Sequence, residues 1–423
     1  MRVVDAAEAV AGIRSGQQVF LHGGAATPSV LLDALVARAH ELSDVKMLHL
    51  HCEGPGPHLA AAMAGHFRHR AFFIGKNARA AIEEGRAEYI PVFLSDIPRL
   101  FARDVLPLDA AIVNLSPPDA HGYCSLGTSV DVALPAVRYA KTVIAQLNQG
   151  MPRTLGDGFV HVDDIDLAIE VNVPPYEHTA PPPGVVERRI GEFVATLVPD
   201  GATIQMGIGA IPAAVALGLR EKKDLGVHTE MFTDAVVDLV ERGVVTGRRK
   251  EVNRGKIVSA FAVGTSRLYS FLHDNPEVEM RPSDYTNDSA LIRRFHNMVA
   301  INSALEIDMT GQVCADSIGT RLYSGVGGQM DFVRGATLAE EGRAIIALPS
   351  TAMGGRRSRI VATLTAGAGV VTTRAHVDVV VTEHGIADLR GRSIPQRVRE
   401  LCAIAAPEFR GDLLEHARKA RLI

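Results

Sequence analysis

The chain has 423 residues, 47% of them hydrophobic and 22% charged, which is enough apolar side chain for more than one core and excludes a single small module and wholesale disorder alike. Lys and Arg number 44 against 48 Asp and Glu, a formal net charge of -4. No long block of one sign occurs, so no nucleic-acid or anionic-membrane partner is expected and a small molecule is the expected ligand. The four cysteines, Cys52, Cys124, Cys314 and Cys402, show no CxxC spacing, so neither a disulfide framework nor a zinc site is expected and a reducing compartment fits.

The first twenty residues carry Asp5 and Glu8 and lack the apolar core of a secretory signal. No stretch reaches the ~18 apolar residues of a membrane span, so the cytoplasm is the expected location. Aromatic residues make up 5% with no Trp, against 39 Gly, a composition that suits parallel sheets of Val, Ile, Leu and Ala covered by helices.

In chain order, a strand is predicted over 19–21 and a helix over 29–42, followed by strands over 110–115 and 142–147. Residues 173–184 hold Pro174, Pro175, Pro181, Pro182 and Pro183, too many for a helix or a central strand, and read as a linker. A strand over 203–206, a helix over 213–220 and strands over 344–348 and 377–381 come next. The alternation predicts an α/β fold. The linker divides it into an N-terminal domain over 1–180 and a C-terminal domain over 185–423.

The two halves also repeat each other. SGQQVFLHGGAATPSVLLDAL (residues 15–35) aligns with DGATIQMGIGAIPAAVALGL (residues 200–219), allowing one gap. Each reads as a turn, a strand, a Gly-rich bend and an apolar helix with Pro near its start. Two related open α/β domains, facing each other across a cleft that holds the active site, are therefore expected, although similar local physics alone could also produce the likeness. Ligands of such sheets bind beyond the carboxyl ends of the strands.

Several loops there could carry chemistry. Gly207, Ile208, Gly209, Ala210 and Ile211 precede Pro212 in a bend whose amides could meet a phosphate or an oxyanion, yet Pro212 stands where a dinucleotide fingerprint needs its third glycine, and a plain tight turn explains it too. Gly325, Gly327 and Gly328 form a second such bend, equally readable as a glycine hairpin. Glu230, in VHTEMFTD, is either a nucleophile for carbonyl attack or a hydrogen-bonded strand-end carboxylate near a helix cap. Asn148 and Arg153 could face a substrate carboxylate, but Asn-Gln-Gly is also good turn chemistry. His49, His51, His66 and His69 form no HExxH, so no metal is expected. Without GxSxG, no serine-hydrolase elbow is present, and Cys124 reads as a buried small hydrophobe.

Nearly end to end, the chain resembles the acetyl-CoA hydrolase/transferase family, in particular its 4-hydroxybutyrate, butyrate or acetate CoA-transferases. The likeness is carried by GGAATP (23–28), NLSPPDAHGYCSLG (114–127), NQGMPRTLGD (148–157), GIGAIP (207–212), HTEMFTD (228–234), GVGGQMDFVRGA (325–336), LPSTA (348–352) and TEHGIADLRG (382–391). The resemblance implies a two-domain CoA-transferase fold and acyl-CoA:carboxylate exchange through an acyl-glutamyl anhydride and a glutamyl-CoA thioester, with Glu230 as nucleophile. It further implies oxyanion donors from Gly327, Gly328 and the Met206–Gly207 amides, and CoA contacts from Met206, the bend 207–211, Gly327, Ser350 and Arg356. Gly23, Gly24 and Asn148 would shape the acyl pocket.

CoA is then the thioester carrier, with no metal or nucleotide redox cofactor, and a homodimer acting on small acyl-CoA and carboxylate substrates is expected. Met353 stands where relatives tend to place a lysine, so Arg356 or Arg357 would supply that charge, and His384 stands where a tyrosine is commoner. An acyl-CoA hydrolase on the same scaffold is the nearest alternative, and a non-catalytic ligand-binding or sensor protein is the alternative from another class.

Overall fold

The apolar runs of the sequence form strands that are buried along their whole length, among them Gln18–Leu21, Ala110–Leu115, Val143–Asn148 and Thr203–Met206. Burial on both faces is why they read as continuous Val, Ile, Leu and Ala rather than as alternating patterns. The computed structural model describes Met1–Ile423. The chain divides into two compact units, Met1–Thr179 with Val258–Thr286, and Ala180–Ile257 with Asn287–Ile423. No helix is long and apolar enough to cross a membrane.

In the first unit the sheet order is Arg2–Val3, Leu167–Val171, Val143–Asn148, Ala110–Leu115, Gln18–Leu21, Val45–His49, Phe67–Ala71 and Ala87–Tyr89, with every pairing parallel. Helix Ser29–Ala37 packs Leu31, Leu32 and Leu35 into a core with Val19, Leu21, Val45, Met47 and Ile112. The helix is shorter than predicted. Arg38 leaves the helical region at φ -89°, ψ 9°, and a 3-10 turn over Ala39–Glu41 follows.

In the second unit the strands run Gly226–Phe232, Thr203–Met206, Met298–Asn302, Arg343–Ala347, Val379–Thr382 and Gly385–Asp388, the last pairing antiparallel. The two repeated segments occupy corresponding places. Gln18–Leu21 lies between the next strand in sequence and a later one, and so does Thr203–Met206. Each is followed by a bend and a helix, Ser29–Ala37 in one case and Ala210–Gly218 in the other.

One segment differs from the sequence expectation. Val258–Thr286, which the reading above assigns to the C-terminal domain, belongs to the first unit. Its backbone explains why: Ala260 O accepts from the amides of Val130 and Asp131, Phe261 bridges Ser129, and Met280 bridges Gly156. Hydrogen bonds between residues more than a hundred positions apart leave no local signature. Residues 172–184 carry neither helix nor strand, as their prolines dictate.

Candidate active site

Glu230 lies in the strand Gly226–Phe232, near its carboxyl end and half-buried, whereas the preceding Val227, His228 and Thr229 are buried. Alternation and the strand end bring its side chain to the start of the helix Gln329–Leu338, whose N-cap is Gly328. A Cβ on Gly328 would sit 1.8 Å from Glu230 Oε2 and 2.1 Å from Asn287 Nδ2. The carboxylate therefore lies against the helix start, in space that any side chain at position 328 would contest. Gly327, at φ +57°, takes the left-handed conformation that lets the chain turn into that helix.

Asn287 fixes the carboxylate. Its Nδ2 donates to Glu230 Oε2 at 2.9 Å and to Asp331 Oδ2 at 3.2 Å. Asn287 is fully buried and Asp331 is buried in the first turn of the same helix. The sequence reading missed both. Asn287 lies 57 positions from Glu230, and only the GGQMD motif placed Asp331 near the site. Gln329 Nε2 donates to Thr372 Oγ1 at 3.1 Å, which ties the start of the helix to a neighbouring loop.

The bend after Thr203–Met206 is open. A Cβ on Gly207 or Gly209 would meet no atom within 4 Å, and Gly209 has φ +115°, a conformation L side chains rarely adopt. Ile208 and Ile211 are half-buried, and Ala210 and Ile211 begin the helix Ala210–Gly218. Met206 differs from expectation: it is buried and its N–H donates to Thr229 Oγ1 at 3.4 Å, so this amide is engaged by its own sheet.

Other predicted residues have structural employment. Ser350 is fully buried and gives both of its donors to Glu383, N–H to Oε2 at 2.8 Å and Oγ to Oε1 at 2.6 Å. These bonds anchor its loop. Arg356 is exposed, donates Nε to Met353 O at 3.0 Å, and lines a cleft of about 370 Å³ with Arg357, Ser358, Phe409 and His416. Arg357 is held by Glu306 and Thr365.

In the first unit, a Cβ on Gly23 would approach His51 O to 2.7 Å, and Gly24, at φ +55°, donates its N–H to that oxygen at 2.8 Å. Backbone packing thus accounts for both glycines. Asn148 is buried at its strand end, and its Oδ1 accepts from Gly150 and Val173 amides at 3.0 Å each, the turn chemistry read as its alternative. Arg153 is paired with Asp119 and Asp274 at 2.9 Å, which corrects the reading that offers it to a substrate carboxylate. Cys124 is buried, and burial pushes its thiol up to about 11, as expected of an inert core residue. His49, Cys52 and His58, by contrast, lie together in a buried group of metal-ligand type, although the sequence reading expects no metal.

A carboxylate presented over a glycine N-cap, at the carboxyl end of a strand in a largely parallel sheet, is the centre of this candidate site. The chain matches the acetyl-CoA hydrolase/transferase N-terminal domain over residues 1–175 and the C-terminal domain over residues 264–417, and it belongs to that family. A 4-hydroxybutyrate coenzyme A transferase of Clostridium kluyveri is 46% identical over 99% of this chain and 97% of the relative. A succinyl-CoA:acetate/propanoyl-CoA:succinate CoA transferase of Fasciola hepatica is 48% identical over 97% and 86%. The crystal structure of RipA from Yersinia pestis superposes with a TM-score of 0.95 at 36% identity, covering 100% and 98% of the two chains. Relatives named for hydrolysis match more distantly. The enzyme class is that of the CoA-transferases.

Proposed function

We propose that the protein exchanges CoA between acetyl-CoA and a short carboxylic acid such as acetate, butyrate or 4-hydroxybutyrate, in a ping-pong reaction carried by Glu230. A Glu230 oxygen attacks the thioester carbonyl, and the tetrahedral intermediate collapses to an acyl-glutamyl anhydride as CoA thiolate leaves. The thiolate then attacks the Glu230 carbonyl carbon, releasing the first acid and forming a glutamyl-CoA thioester. The acceptor carboxylate reverses the two steps, so no thioester energy is lost to water. Each attack develops an oxyanion, for which we assign the amides of Gly207, Gly327 and Gly328, each such donor being worth about 2.7–4 kcal/mol of barrier.

The observation that carries this reading is the Glu230 carboxylate, oriented by Asn287 at 2.9 Å and seated over a glycine that leaves it room. A second helix start, at the open bend of Gly207 and Gly209, offers backbone to the CoA chain without side-chain hindrance. We assign the phosphate end of CoA to the cleft containing Arg356, where a guanidinium can bind a phosphate bidentately.

The test is to incubate the protein with acetyl-CoA, trap with hydroxylamine or borohydride, and map the modified residue by mass spectrometry. A label at Glu230, absent from Glu230→Gln, is expected, together with acid-dependent CoA exchange that falls at least about 10³-fold in that variant while its Tm is retained. Labelling elsewhere, or thioester loss independent of any acceptor acid, overturns the proposal.

A further inference from the structure

A second cluster, wholly within the first unit, has the composition and bonding of a metal site. His49 is the last residue of the strand Val45–His49, Cys52 follows three residues later, and His58 lies in the 3-10 turn Pro57–Leu59. One ring nitrogen from each histidine and the Cys52 Sγ all fall within 4.8 Å of one another. His49 is fully buried, and His58 and Cys52 are each 3% exposed. A third histidine, His69, comes from the neighbouring strand Phe67–Ala71, where it is paired with Met47. The period of two therefore puts it on the same sheet face as His49.

The three imidazoles meet at one atom. His49 Nε2 lies 2.8 Å and His58 Nε2 3.1 Å from the same atom, His69 Nδ1. One assignment that makes both contacts hydrogen bonds has His69 Nδ1 accepting and both Nε2 atoms protonated. On that assignment the Nδ1 atoms of His49 and His58 carry lone pairs, and neither makes a hydrogen bond. Two buried lone pairs left unsatisfied are costly. A ligating histidine that donates its other ring N–H to an acceptor behind it is the arrangement that orients metal ligands.

We propose that His49 Nδ1, His58 Nδ1 and Cys52 Sγ bind one borderline-soft divalent transition cation, of which Zn²⁺ is the type. Two imidazoles and a thiolate are the donors such an ion selects, with a fourth position left to water. Tetrahedral Zn²⁺, with bonds of about 2.0–2.1 Å to nitrogen and about 2.3 Å to sulfur, draws such ligands to roughly 3.3–3.6 Å apart, so the group must tighten from the 4.8 Å within which its donors now lie. On binding, the Cys52 S–H proton passes to solvent as the sulfur–metal bond forms, leaving one dication, one thiolate and two neutral imidazoles.

Asn77 Nδ2 donates to Cys52 Sγ at 3.6 Å and to Cys52 O at 3.1 Å, support suited to a thiolate. The cover between Cys52 and His58 contains Gly54 and Gly56, both at positive φ, and the exposed Pro55. The ion would also staple the segment that holds the Gly23–Gly24 bend, since His51 O accepts the Gly24 amide and Cys52 bridges Gly24.

The test is titration of the chelator-stripped full-length protein with Co²⁺, followed by displacement with Zn²⁺. One equivalent of Co²⁺ per chain is expected, with a thiolate-to-cobalt charge-transfer band and intense tetrahedral visible bands that Zn²⁺ abolishes. Cys52→Ser should remove the charge-transfer band, and His58→Gln should weaken binding at least about 10–100-fold, the loss already seen when an outer-shell partner alone is removed. Should either variant fail to fold, Zn K-edge X-ray absorption of the wild-type protein reads the first shell directly, with one sulfur and two or more nitrogens expected. No stoichiometric binding, a charge-transfer band that survives in Cys52→Ser, or a shell without sulfur each overturns the proposal.

Discussion

Glu230 acquires its chemistry from two neighbours that belong to different parts of the sequence, Asn287 by hydrogen bond and Gly328 by the space that it leaves. Both atoms nearest a Cβ at position 328 are the far ends of side chains, so Gly328→Ala is accommodated by moving the carboxylate rather than the backbone. A displacement of about 1 Å at a reacting group costs on the order of 10²-fold in rate. Gly328→Ala is therefore expected to lower kcat about 10²-fold with little change in Tm, measured by acetate-dependent exchange beside a thermal melt. Loss of folding with normal specific activity in the folded fraction would refute the close-approach argument. A carboxylate in HTEMFTD is legible from the motif, whereas Asn287 is invisible there, because a lone Asn beside Asp288 also makes good turn chemistry.

At the level of elements, the strand Gly226–Phe232 must hold its register for Glu230 to emerge over the helix start. A buried lysine clamps it. Lys250 is fully buried, and its Nζ donates to Val227 O at 2.8 Å and to Lys256 O at 2.7 Å, with the Phe295 ring centroid 5.7 Å away. Gly226 is part of the same fit, since a Cβ there would meet Lys250 Cγ at 2.5 Å. Lys250→Met keeps the apolar stem but leaves one buried and one half-buried carbonyl without this donor, at a cost of about 2–4 kcal/mol. Urea unfolding should show that loss, while kcat of the folded variant changes less than tenfold. A neutral effect on stability would mean that the clamp is dispensable. The strands and helices that sequence reasoning named fall within a few residues of their observed bounds because apolar runs and Gly or Pro punctuation are local signals, while others, such as Val45–His49 and Met298–Asn302, were not named. The same reasoning offered nothing for Lys250, whose burial depends on a fold that brings two carbonyls to it.

Across the whole molecule, buried neutral histidines are concentrated in the first unit. Burial lowers His22 and His58 to about 4 and holds His49 and His69 well below the ordinary value. Between pH 6.5 and 4 the unfolded chain binds protons that these native imidazoles refuse, so stability present at neutral pH is lost as pH falls through that window. For His22 and His58 this amounts to roughly 3 kcal/mol each by pH 4. Asp131, pushed up to about 6 by burial, acts in the opposite sense: it protonates more readily in the native state and offsets one histidine below that pH. Hydrogen exchange followed from pH 7 to 4.5 should show peptides of Met1–Thr179 losing protection before those of Asn287–Ile423. Simultaneous loss, or earlier loss in the second unit, would contradict this.

The sequence by itself determined the α/β class, the repeated strand–bend–helix segments, the family likeness and Glu230 as the residue to examine. Each is written in short-range patterns: apolar periodicity, glycine and proline spacing, and contiguous motifs. Only the tertiary structure decided that Val258–Thr286 packs with the first unit, that Ser350 serves Glu383, that Asn287 orients the carboxylate, and that His49, Cys52 and His58 converge. Those outcomes depend on hydrogen bonds and packing between residues whose separation along the chain bears no relation to their separation in space. Local propensity carries no information about which distant strand or loop will supply the partner.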